Sequence, residues 1–159
     1  MLQPESKHLL IFLENLSGGG EERLAVNLAN HLLDKHRIEF VLQRKEGAFL
    51  SQLSSAIQVT GISAKGLLLI LFALKNFIEQ KKPDVLLSAL DVSNLIAILA
   101  SKWSNHKPKT IIRIANTLSQ QKRPLGTKWL EQILLALLYP LADEIIAVSA
   151  GVADDLHRY

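Results

Sequence analysis

Apolar residues along this chain change their spacing in a regular way. The run HLLIFL, His8 to Leu13, is short, unbroken and closed by the turn-forming ENLSGGG, the pattern of a strand buried on both faces. From Glu21 the apolar positions Leu24, Ala25, Leu28, Ala29, Leu32 and Leu33 recur at intervals of three and four, the stripe of a helix packed on one side. Strand character returns over Arg37 to Leu42 and, weakly, over Ile57 to Thr60. Leu67 to Lys81 is a very apolar helix that ends in cations before Pro83. The alternation continues with a strand at Val85 to Leu90, a helix at Ser93 to Trp103 and a strand at Thr110 to Ile114. A helix over Lys128 to Leu138, a strand at Glu144 to Val148 and a short helix capped by Ser149 and running toward Leu156 complete the series.

Alternating strands and helices whose strands are apolar throughout predict an α/β fold: a Rossmann-like, doubly wound and mostly parallel sheet with helices on both faces. Ligands of such sheets bind beyond the carboxyl ends of the strands, so the loops to examine are Glu14–Gly20, Leu90–Asn94, Ala115–Pro124 and Ser149–Gly151.

Length and composition narrow this further. At 159 residues the chain is the size of one domain, and 48% hydrophobic with 21% charged residues is an ordinary globular mixture. Without cysteine it has no disulfide framework and no cysteine-ligated zinc, which suits a cytoplasmic protein. The opening MLQPESK is not followed by a signal-peptide core, and the longest apolar run, Gly66 to Leu74, is less than half of the roughly 20 residues a membrane-spanning helix needs. A net charge of +3 permits an anionic partner without requiring one, and the dispersed basic residues with few aromatics among them argue against nucleic acid.

Gly18, Gly19 and Gly20 fall between the first strand and the first helix, where unpaired N–H groups and the helix dipole favour an anion and the lack of side chains permits close approach. The placement suits a phosphate or a sugar hydroxyl. Neither G-x-G-x-x-G nor a P-loop motif is present, so nicotinamide cofactors and P-loop chemistry lose support. Glu21 and Glu22 complement the dipole but would repel a fully exposed phosphate. The plainer alternative is that the glycines only make a tight turn and bring helix to sheet.

Taken together, four segments resemble the N-terminal domain of the GT-B glycosyltransferases, glycosyltransferase family 4. Gly18, Gly19, Gly20, Glu22 and Arg23 match a G-G-G-A-E-R pattern, with Glu21 in place of alanine. The segments KKPDVLLSALDVSNLIAILA, TIIRIANT and YPLADEIIAVSAGVADDL follow in the family's order, so the resemblance runs from about His8 to Tyr159. It implies that residues 1–159 form a single N-terminal, acceptor-side Rossmann-like domain, with the C-terminal donor-binding domain absent from this chain. It further implies a retaining enzyme that moves a sugar from a nucleotide-sugar donor to a glycan or lipid-linked acceptor. The isolated domain would then be inactive, and neither a metal nor another cofactor would be needed. The five dispersed histidines agree with the absence of a metal site. The alternative is a stand-alone binding or scaffolding domain that has lost catalysis.

On this reading Gly18, Gly19, Gly20 and Glu22 bind the donor phosphate or transferred sugar, and Arg113 and Asn116 hydrogen-bond donor or acceptor sugar. Asp91, Ser93, Asn94 and Ser149 lie toward the acceptor side. Each has a structural alternative: Asp91 as the cap of a helix starting at Val92, Ser149 as a cap first and a contact second, Arg113 as one half of an ion pair. Relatives often carry a histidine after the fourth and fifth strands, where this chain has Ala89 and Ala115, so the resemblance carries over no catalytic histidine. The segment from Gln120 to Leu141 combines Lys122, Arg123, Lys128 and Trp129 with an apolar helix. It reads first as a core helix, with its basic loop as a peripheral contact to the inner face of a membrane.

Overall fold

The computed structural model describes residues 6–115, 133 and 136–156. Six strands form one sheet: β1 (His8–Leu13), β2 (Arg37–Leu42), β3 (Gln58–Gly61), β4 (Val85–Ala89), β5 (Lys109–Ile114) and β6 (Glu144–Ala147). Their order is β3-β2-β1-β4-β5-β6 and every neighbouring pair is parallel. The sheet is therefore wholly parallel. The chain runs outward from β1 to β3, then crosses back to β4, which places a switch point between β1 and β4.

Among the described residues, helices α1 (Gly20–Leu32), α2 (Leu67–Lys81), α3 (Asp91–Trp103) and α4 (Ala150–Leu156) accompany the strands. One core lies under α1, where Ala25, Val26 and Ala29 pack on Ile11, Leu13, Phe40 and Leu42. Phe49, from the short 3-10 helix Ala48–Gln52 that takes the place of a helix between β2 and β3, joins it. A second core on the opposite face joins Leu71, Leu74 and Ile78 of α2 and Ile96 and Ala100 of α3 to Leu10, Phe12 and Leu86. The central strand is apolar from Leu9 to Leu13 because both of its faces are covered.

The expected strands and helices appear with small shifts at their ends. The weak strand begins one residue later than expected, at Gln58, and α3 begins at Asp91, two residues before its expected start. The expected helix from Lys128 lies mostly outside the described residues. Its last turn, 136–138, is helical and leads into a 3-10 turn at Tyr139–Leu141 that buries Tyr139. Among the described residues no helix is long and apolar enough to cross a membrane.

At the amino ends of the strands, Glu39 of β2 is 1% exposed and faces three basic side chains: Lys81 Nζ at 3.1 Å, His8 Nε2 at 3.4 Å and Arg37 at 3.6 Å. These are charge contacts more than well-aligned hydrogen bonds. Burial, together with the Arg37 charge, holds the His8 imidazole below its ordinary pKa, although Glu39 pulls the other way.

Candidate functional site

The glycine run lies at the carboxyl end of the central strand, beside the switch point. Gly19 occupies the N-cap position of α1 with extended backbone, and Gly20 is the first helical residue. Residues 17–20 are exposed. A methyl group added to Gly18 or Gly20 would meet nothing within 4 Å, and one added to Gly19 would meet only the Glu22 carboxylate, which folds back beside it. The ledge is open. At φ +135°, Gly18 adopts a backbone conformation that side chains disfavour, so a turn requirement and an open approach coexist here.

Neighbouring loops hold the ledge from below. Leu16 is fully buried, its N–H donates to the Glu46 carbonyl at 2.9 Å, and its carbonyl accepts from the Phe49 N–H at 3.0 Å. Gly47 makes this possible: at φ +127° it lies so close to the Leu16 carbonyl that a Cβ there would collide with backbone. The Arg44 guanidinium donates to Glu14 at 2.8 Å, and the Asn15 side chain accepts from the Ser17 N–H at 2.9 Å. The loops after β1 and β2 thus form one support, and nothing in the spacing of the sequence announces it.

Glu21, in the first turn of α1, turns toward β5 and is ion-paired with Arg113. The two side chains retain 12% and 22% of their exposure, respectively. The repulsion expected of Glu21 toward an anion is thereby largely neutralised at close range. Arg113 stands in register with Ala89 of β4 and Ile146 of β6. Between this pair and the sheet lies a cavity of about 180 Å³, walled by Ile11, Leu13, Ala25, Leu87, Ala89 and Ile146. The site therefore offers an apolar floor, a charged strut and an N–H-bearing ledge.

The remaining expected site residues are distributed unevenly. Ser93 and Asn94 are 2% and 0% exposed and act inward. Ser93 Oγ accepts from Gln43 Nε2 at 3.3 Å, and Asn94 Nδ2 donates to the Arg113 carbonyl at 3.0 Å. Asn94 so ties the start of α3 to the strand that presents Arg113. Asn94 Oδ1 is buried without a partner among the described residues. Asp91 is the first residue of α3, not its cap; that place belongs to Leu90, a non-glycine residue at φ +77°. Backbone strain of this kind is costly and gathers at functional sites. The Asp91 side chain, Asn116 and most of the segment from Gln120 to Leu141 lie outside the described residues. Ser149 Oγ accepts from the Val152 N–H at 3.3 Å and so caps α4 at the far side of the same sheet edge. Among the described residues no three His, Cys, Asp or Glu side chains gather as metal ligands do.

Solved structures share this architecture. The lipopolysaccharide outer core galactosyltransferase WaaB matches with a TM-score of 0.67 at 17% identity over 95% of this chain and 42% of its own. A UDP-GlcNAc 2-epimerase from Methanocaldococcus jannaschii matches at 0.59, with 18% identity over 95% of this chain and 42% of its own. A UDP-glucosyltransferase from Polygonum tinctorium matches at 0.58, with 14% identity over 99% of this chain and 50% of its own. At these identities the likeness is one of fold, and the chain spans half or less of each of these proteins. Comparison with curated protein sequences gives no significant match. The family model of Glycosyltransferase Family 4 matches residues 18–159, from the glycine ledge to the last residue, and on that match the chain belongs to glycosyltransferase family 4.

Proposed function

We propose that this chain is the acceptor-side half of a retaining glycosyltransferase that moves a sugar from a nucleotide-sugar donor to a glycan or lipid-linked acceptor. The observation that carries the reading is the open ledge at residues 17–22, placed at the switch point of a parallel sheet in a chain of this family. Sugar transfer needs a leaving diphosphate neutralised, a developing oxocarbenium stabilised and an acceptor hydroxyl held near the anomeric carbon. The N–H groups at the start of α1 suit the first task or a hydroxyl of the transferred sugar, and they work without a metal.

Arg113 spends one nitrogen on Glu21, and its guanidinium carries five N–H donors, so it can hold Glu21 and still donate to a sugar or phosphate oxygen. Asn116 comes three residues later in the sequence, and Asp91 and Ser149 border the acceptor side. Ser93 and Asn94 support this rim from within. The donor's nucleotide would be gripped by a second domain closing over the ledge, and the natural setting is the cytoplasm.

The test is a donor and acceptor screen on the complete protein, with the 159-residue chain run beside it. Transfer by the complete protein and none by the chain alone supports the reading. Turnover of nucleotide-sugar by the chain alone would place the donor site here and overturn the division of labour. Saturable glycan binding without transfer in either would favour a binding or scaffolding domain.

A further inference from the structure

The cavity between α1 and the sheet selects by size and by polarity. At about 180 Å³ it slightly exceeds the roughly 150 Å³ in which an apolar cavity holds one benzene ring, and it is well below the roughly 300 Å³ at which pockets for drug-sized ligands begin. One ring fits. Ile11 and Leu13 of β1, Ala25 of α1 and Leu87 and Ala89 of β4 line it. Leu24 and Ile146 line it too and remain 42% and 45% exposed, so apolar surface leads into it from solvent. Ser88 also touches the cavity, but it is in register with Phe12, whose side chain lies in the core under α2 and α3, so the hydroxyl belongs to the other face of the sheet. The charged groups at the cavity are Glu21 and Arg113, already paired with one another.

A pyranose is about as large as a benzene ring with its substituents, yet its hydroxyls would stand unpaired against isoleucine and leucine here. An apolar ring leaves nothing unpaired. Glu21 and Arg113 together give the cavity a polar rim without net charge: a carboxylate or phosphate on the ligand would meet Glu21, and an ammonium would meet Arg113. A hydroxyl suits both, since it can donate to the second Glu21 oxygen while accepting from a spare guanidinium N–H. Glu21 decides this preference. With alanine at position 21, Arg113 would stand without this partner and would favour an anion.

We propose that the cavity under α1 is a binding site for a neutral alcohol carried on a single apolar ring, an aryl alcohol of the size of p-cresol, and that Glu21 selects the hydroxyl over an anion. The site needs neither a sugar donor nor a second domain and does not depend on the transfer reaction.

The test is titration of the isotope-labelled chain with p-cresol, toluene, p-toluate and methyl glucoside, followed through the methyl signals of Ile11, Leu13, Leu87 and Ile146 in NMR spectra. p-Cresol is expected to shift these signals saturably with a Kd of roughly 1 mM or below, and to bind at least about threefold tighter than toluene or p-toluate. Methyl glucoside should leave them unmoved. Ala89→Leu fills the cavity and should weaken p-cresol binding about tenfold or more while keeping or raising the melting temperature. Should that variant fail to fold, Leu24→Ser at the exposed edge takes its place and should weaken p-cresol about threefold or more. Glu21→Ala should reverse the order, making p-toluate the tighter ligand. The proposal is overturned if p-cresol moves none of these signals, if toluene or methyl glucoside binds as tightly, if the wall substitutions leave p-cresol binding undiminished, or if p-toluate stays the weaker ligand in Glu21→Ala.

Discussion

Arg113 at the end of β5 and Glu21 in the first turn of α1 are ion-paired across 92 positions of sequence. The pair joins the ledge to the far half of the sheet and leaves only a small part of each side chain in solvent. Removing one member strands the other beside the apolar cavity. Arg113→Met is therefore expected to cost about 1–3 kcal/mol, and Glu21→Gln less, because the amide can still accept. A double-mutant cycle should return a coupling energy on the order of 1 kcal/mol, measured by denaturant unfolding. A coupling of zero would show the pair to be incidental.

The glycines of the ledge separate by conformation. Gly18→Ala forces a side chain onto a positive φ and should destabilise by about 1 kcal/mol or more. Gly20→Ala falls at the first helical residue, in open space, and should be neutral or stabilising by up to about 1 kcal/mol. Thermal unfolding of the two variants side by side checks the contrast.

Gly47 is a support and not a contact. Gly47→Ala places Cβ against the Leu16 carbonyl at a positive φ, and a loss of about 2–4 kcal/mol is expected. Chemical denaturation measures it, and a cost below that of Gly18→Ala would mean the two loops are less tightly joined than their hydrogen bonds indicate.

The His8 cluster makes stability depend on pH. The folded protein holds His8 below 6.5, so the unfolded chain takes up the proton first as pH falls. The contribution is intact above about 6.5 and is lost on acidification through that value toward the lower folded pKa. Melting temperature should drop between roughly pH 7.5 and 5.5, and His8→Gln should flatten that part of the curve.

Much of the fold was legible in the sequence because buried parallel strands and one-sided helices have different periods. β1 and α1 are the clearest case: HLLIFL followed by a three-and-four stripe could hardly be another pair. The connection from β2 to β3 was missed because it is a five-residue 3-10 helix, too short for any period to show. At the site, the glycines and Arg113 were visible as residue types at or just past the carboxyl ends of strands. Their relationships were not. Glu21 meets Arg113, Gly47 meets Leu16 and Asn94 meets the Arg113 carbonyl only because the switch between β1 and β4 brings α1, β5 and α3 to one edge. Ser93 and Asn94 looked like rim residues, yet α3 starts two residues before its expected position and both point inward.

The most direct measurement is the specific activity of the complete protein carrying Gly19→Val or Gly20→Ala, set against its melting temperature. If the ledge binds the donor phosphate or the sugar, kcat/KM should fall at least roughly tenfold while melting stays within a few degrees of the parent protein. Full activity in both variants, or activity and stability falling together, would contradict the account and return the glycines to a purely structural turn.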